Sequence, residues 1–158
     1  MTVRLVNGSR SFGLMKGLPM IKELVRDEAI LSTPCEPATI EDVAVAQDLV
    51  DTLLSIEDGA CLAANQIGVT KAIIALADDE GNTLVMFNPK VLFGMGAFKA
   101  EESCLTRDGI TKVTRFMKIK VSYEELVDGK LKPRKRDFVE WPAELIQHMC
   151  DHCKGKLI

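Results

Sequence analysis

The sequence predicts an α+β domain in which mostly antiparallel strands pack around a C-terminal helix. Three observations lead there. An amphipathic helical stretch begins near residue 40, a series of short strand-like runs follows it, and a second helical stretch closes the chain. The size suits one such domain: 158 residues, 47% of them hydrophobic, can bury a core without disulfide staples.

The elements are read in chain order. Residues 1–20 show no clear period and read as a leader or edge segment, with a single domain over 21–158. Thr39-Ile40-Glu41-Asp42 is a helix start, a capping Thr with an acidic residue three positions on. Ile40, Val43, Ala46, Leu49, Val50, Leu53 and Leu54 then recur at helical spacing, and Asp58-Gly59 ends the element. Ala72 to Ala77 and Thr83 to Phe87 are apolar strand runs joined by the turn residues 78–82. Asn88-Pro89 precedes a further run, Lys90 to Phe93. Lys118 to Tyr123 alternates polar and apolar, and Asp128-Gly129 marks a hairpin into Lys130 to Phe138. Pro142 suits the first turn of the closing helix, which carries Leu145, Ile146, His148 and His152.

Charge and composition narrow the function. A net charge of −3 exerts no global pull toward DNA or an anionic membrane. No run approaches the ~18 apolar residues of a membrane span, and the N-terminus lacks the continuous apolar stretch of a signal peptide. Five cysteines, an odd number, argue for reduced thiols and a cytoplasmic protein. Lys130, Lys132, Arg134, Lys135 and Arg136 make one strand basic, which protects a sheet edge; a transient contact with ribosomal RNA is the other reading.

The only two histidines stand in Gln147-His148-Met149-Cys150-Asp151-His152. Four residues apart on a helix, they share one face and can offer two imidazoles to one metal ion. A catalytic metal site usually has three protein ligands and an open position, so a third ligand must come from elsewhere. Cys150 and Cys153 point about 200° and 140° away from His148 at ~100° per residue, toward core or a neighbouring element. Cys35, Cys61 and Cys104 remain. Asp151 is a candidate acceptor that fixes an imidazole tautomer.

Three ordered motifs resemble the peptide deformylase family, which removes the formyl group from N-formylmethionine on new bacterial polypeptides. They are Gly-Ala-Cys-Leu-Ala-Ala-Asn-Gln at 59–66, Glu-Ser-Cys-Leu-Thr at 102–106 and the two-histidine segment at 147–152. Phe87-Asn88-Pro89, Val113, Arg115, Ile119, Val121, Tyr123 and residues 155–158 follow the same pattern, so the likeness spans about residues 21–158.

The resemblance implies Cys104, His148 and His152 as ligands of one divalent metal. Fe²⁺ or Zn²⁺ suits a thiolate with two imidazoles, with Ni²⁺ or Co²⁺ as substitutes. It implies that Gln66 and the backbone N–H of Leu105 stabilise the oxyanion. The partner is then an N-formylmethionyl peptide or nascent-chain N-terminus. Glu102 and Arg115 are expected to pair and hold the second motif, and Gly59, Cys61, Leu62, Glu144 and Leu145 to line the substrate pocket.

This chain departs from the family at one decisive position. Met149 stands where the family has the glutamate that moves protons between the metal-bound water and the leaving amine. A thioether has no titratable proton and is only a weak acceptor. Loss of general acid–base catalysis removes about 10²–10⁴-fold in rate, or ~3–5 kcal/mol. Cys61 and Ser103 also replace family glycines, and Cys61 has the alternative of reaching the metal as an extra ligand. Glu144, one turn before His148, reads as a solvated first-turn residue, with pocket lining or a substitute base as the other readings.

Three functions compete. The chain is a deformylase slowed by its missing base, a non-catalytic relative that binds metal or N-terminal peptides, or a thiol sensor built from Cys61, Cys104, Cys150 and Cys153.

Overall fold

A computed structural model describes residues 19–158. The reading of residues 1–20 as leader or edge segment therefore falls almost wholly outside the described residues. The elements are α1 (Glu28–Leu31), α2 (Val43–Ser55), β1 (Cys61–Ala63), β2 (Ile73–Ala77), β3 (Thr83–Cys104), β4 (Arg107–Val127), β5 (Lys130–Val139) and α3 (Glu140–Cys153). The five strands form one sheet in chain order, antiparallel throughout. The α+β expectation holds.

Local chemistry explains the element boundaries. The Thr39 hydroxyl accepts from the Glu41 amide at 3.3 Å, and the Asp42 carboxylate accepts from the Thr39 amide at 2.8 Å. This reciprocal cap opens a short 3₁₀ turn at Ile40–Asp42, and the α-helix proper follows. Asp128 and Gly129, with φ of 49° and 75°, form the tight hairpin turn between β4 and β5. Pro142 lies in the first turn of α3, where its missing N–H costs nothing.

The sheet separates two apolar layers, and strand alternation decides which residue enters which. Leu62, Ile73, Ala75, Val85 and Phe87 pack on the α2 side with Leu49 and Leu53. Ala63, Ile74, Leu76, Leu84 and Met86 pack on the α3 side with Ile146 and Met149. Residues Ile73 to Leu76 are buried on both faces, which is why β2 reads as an unbroken apolar run.

One expectation needs enlarging. The short runs at 83–87, 90–93 and 118–123 belong to two long strands, β3 and β4, paired as far as Cys104 and Arg107. The register shifts between Phe87 and Lys90, where Asn88 takes a φ of 53°. The Asn88 side chain secures that kink by bonding both the amide and the carbonyl of Ala38, at 2.7 and 2.9 Å. From residue 92 to 99 most β3 side chains are exposed or half-buried, so no two-residue period marks the outer hairpin in the sequence. The hairpin carries Cys104 back to α3.

Among the described residues β5 is a sheet edge, and its basic residues lie along it. Arg134 pairs with Glu125 at 2.9 Å, and the Arg136 guanidinium sits 4.8 Å from the Phe138 ring centroid. Charge on an edge discourages pairing with another chain's strand.

Candidate metal centre

Two elements meet at one point. β3 ends at Cys104, and the C-terminal half of α3 presents His148 and His152 one turn apart. The ligand atoms of Cys104, His148 and His152 lie within 4.8 Å of one another. Cys104 Sγ is 3.4 Å from His152 Nε2, and the two Nε2 atoms are 3.2 Å apart. Both imidazoles are almost fully buried.

The surrounding groups show what this cluster is built to hold. His148 Nδ1 donates to Glu102 at 2.8 Å, so the proton a metal would displace is the one on Nε2, which faces the other two groups. Arg115 grips both oxygens of Glu102, from Nε at 3.0 Å and Nη2 at 2.7 Å, and Asp151 at 2.6 Å from Nη1. Glu102 and Arg115 therefore pair as the sequence suggests. Asp151 does not orient an imidazole directly: it leaves α3 on the Arg115 side and acts through that guanidinium. The imidazole acceptor is Glu102.

Electrostatics favour a cation at the convergence point. Burial works against charge on Cys104, yet bonds to His148, His152 and Thr106 bring its thiol down to about 5. Burial likewise opposes ionised Glu102, but His148 and Arg115 hold its carboxyl at about 2. Burial disfavours charged His148, and the Cys104 and Glu102 charges outweigh it, raising the imidazole to about 9. A thiolate and two imidazole nitrogens aimed at one point form a donor set that suits a divalent transition metal.

A cavity of about 300 Å³ opens beside these groups. Gln66, Leu105, Glu144, Leu145 and Met149 line it together with Gly59 and Cys61. Gln66 sits in a 3₁₀ turn, Ala64–Ile67, its Oε1 accepting from the Ala63 amide at 2.9 Å. Its Nε2 donates to Thr106 at 3.1 Å and lies 3.4 Å from Cys104 Sγ. Leu105 and Thr106 form the turn linking β3 to β4, so the Leu105 amide is held beside Cys104. A Cβ on Gly59 would stand 3.0 Å from the Cβ of Ile56, a packing reason for its glycine.

Several site expectations change here. Leu62 does not line the cavity: period-two alternation sends Cys61 to the cavity and Leu62, wholly buried, to the α2 layer. Glu144 is no solvated first-turn residue. It lies in the second turn of α3 on the His148 face, lines the cavity and contacts Glu102. Burial and that neighbouring carboxylate push it up to about 7. Cys61 lines the cavity but stands outside the three-ligand cluster, and burial followed by the charges of Cys104 and Glu102 pushes its thiol up to about 12. A thiol so hard to ionise is a poor extra ligand. Cys150 points into the α3-side core, and Cys153 contacts Cys35, so no four-thiol sensor surrounds the site.

Two supports escaped the sequence reading. The Gln147 amide brackets Phe116 of β4, accepting from its N–H and donating to its C=O, both at 2.9 Å, and thereby docks α3 on the sheet. Asn65 donates to the His152 carbonyl at 2.9 Å. Both lie inside motifs already noted; their adjacency to Gln66 and His148 is the signal that could have found them.

An antiparallel sheet that presses a two-histidine helix against a hairpin cysteine defines a mononuclear metal-binding protein. The family model for polypeptide deformylase matches residues 21–158, and the chain belongs to the peptide deformylase family. It is 39% identical to a peptide deformylase of Clostridium beijerinckii over 141 residues, covering 88% of this chain and all of that one. Peptide deformylase 3 of Shewanella oneidensis is 34% identical over 75% of each chain. Among solved structures, the Met-Ala-Ser-bound class I type b peptide deformylase of Acinetobacter baumannii superposes with a TM-score of 0.76. It is 26% identical, with 89% of this chain and 97% of that one covered. A peptide deformylase from Legionella pneumophila gives a TM-score of 0.75 at 29% identity, covering 87% and 83%.

Proposed function

We propose that this protein is a metal-dependent deformylase of N-formylmethionyl peptides whose turnover is slowed by Met149. Family membership supports the reaction class, and the convergence of Cys104, His148 and His152 supports the metal. When bound, the divalent ion, Fe²⁺ or Zn²⁺, supplies a Lewis acid and lowers the pKa of a bound water. The chain's own residues do the rest. Cys104, His148 and His152 hold the ion, and Glu102 fixes the tautomer of His148. Gln66 Nε2 and the Leu105 N–H donate to the oxygen that gains charge. The cavity receives the first side chain of the peptide; the A. baumannii relative has been solved with Met-Ala-Ser bound.

The single observation that carries the slow-turnover reading is the placement of Met149. It lines the cavity in the position of the family's glutamate, yet is only 2% exposed and packs into the α3-side core. That place holds no acid or base. A second reading keeps some activity: Glu144 lines the same cavity and titrates near 7, a suitable range for moving a proton. The non-catalytic alternative keeps metal and peptide binding alone.

Formate release from formyl-Met-Ala-Ser by zinc- or nickel-loaded protein tests these readings. The proposal expects a slow but metal-dependent rate, which Glu144→Gln lowers further if Glu144 is the substitute base. Absence of release together with retained peptide binding supports the non-catalytic alternative. We place the activity in the cytosol, on nascent chains; a ribosome contact through the basic β5 edge belongs to the same proposal.

A further inference from the structure

Away from the cavity, the end of α3 is clamped to the loop that follows α1. The Cys35 N–H donates to the Cys153 carbonyl at 2.8 Å. Two residues on, Gly155 adopts a φ of 74°, and a Cβ there would lie 2.5 Å from the Ser32 carbonyl oxygen. The backbones touch at this seam, and it places two free thiols together. The Cys35 and Cys153 thiols lie close enough to shift each other's ionisation, and both residues are half-buried. Directly bonded backbones hold Cα atoms within the range that a disulfide spans.

We propose that Cys35 and Cys153 form a reversible disulfide under peroxide, a modification site that locks the metal-bearing helix to the α1 loop. The contact with Cys153 favours the Cys35 thiolate, making Cys35 the attacking sulfur. Cys35 S⁻ attacks one oxygen of H₂O₂. The O–O bond breaks, hydroxide leaves and takes up a proton, and Cys35 becomes a sulfenic acid. Cys153 sulfur then attacks the Cys35 sulfur, and its proton leaves with the displaced hydroxide as water. Two thiols and one peroxide give one disulfide and two waters.

The consequence follows from position. Cys153 directly follows the proposed ligand His152, and the new bond closes a loop over most of the chain. Closing a long loop restricts the unfolded state and stabilises the folded one. It also holds the last turn of α3 against fraying, which slows release of a metal held there. The proposal stands whether or not the cavity turns over formyl peptides.

The test uses full-length zinc-loaded protein treated with a few equivalents of hydrogen peroxide, then alkylated and mapped by mass spectrometry. The expected result is a peptide pair joining Cys35 to Cys153, loss of two alkylatable thiols and reversal by dithiothreitol. The melting temperature should rise by about 5–15 °C and fall back on reduction. Cys35→Ser and Cys153→Ser should each abolish the link and the shift, whereas Cys150→Ser should keep both. A disulfide at any other pair, or oxidation elsewhere with Cys35 and Cys153 still alkylatable, overturns the proposal. So does a link that forms without raising the melting temperature.

Discussion

The two sides of His148 are built differently. On one side, Glu102, Arg115 and Asp151 form an unbroken chain of short polar contacts that fixes the imidazole. On the other, the next residue along α3 is Met149, whose thioether fills space in an apolar layer. The difference teaches that holding a cation and moving a proton are separate demands on the fold. The first is met by a buried, mutually satisfied network. The second needs one carboxyl at one place, and a single side chain removes it without disturbing the network.

The largest expected effect breaks the network at its centre. His148→Ala or Cys104→Ser should reduce bound zinc, measured by atomic absorption after mild chelation, from about one equivalent to almost none. A loss smaller than the ~10–100-fold typical of supporting residues would show that these are not ligands.

Next comes the polar chain itself. Arg115→Ala leaves Glu102 buried without its bidentate partner and should cost about 3–5 kcal/mol in urea unfolding. Glu102→Gln should weaken zinc affinity ~10–100-fold by freeing the His148 ring. Unchanged stability in the first variant would mean that the cluster is wet and weak.

Acid should act on the same side. The Glu102 carboxyl titrates near 2 in the folded protein, below its ordinary 4.5. Its contribution to stability is therefore complete above pH 4.5 and lost as pH falls toward 2. Wild-type protein should lose stability through that window, and Glu102→Gln should flatten the loss, as read by the urea midpoint against pH.

The smallest effect belongs to the apolar side. Met149→Leu conserves volume and polarity, so it should change stability by less than ~1.5 kcal/mol and leave zinc content and formate release unaltered. A clear loss of activity would mean that the sulfur itself takes part.

Much of this was legible before the fold was known. The capped start at Thr39, the Asp128-Gly129 hairpin and the apolar runs of β2 and early β3 carry their own local physics. The cysteine and two histidines came from motif resemblance; helical spacing alone paired only the histidines. What escaped has a common cause, because it depends on which way a side chain faces after distant elements meet. Leu62 faces α2 because β1 pairs with β2 in one register and not the neighbouring one. Glu102 takes the role expected of Asp151 because β3 brings its carboxylate to the Nδ1 edge of His148, while Asp151 faces Arg115. The outer hairpin was invisible because neither of its faces is consistently buried.

The central claim is an intact metal site lacking only its acid–base group, and Met149→Glu tests it most directly. With both proteins loaded with the same metal, kcat/KM for a formyl-Met-peptide should rise about 10²–10⁴-fold in the variant. A wild-type rate equal to that of the variant, with metal content equal in the two, would contradict it.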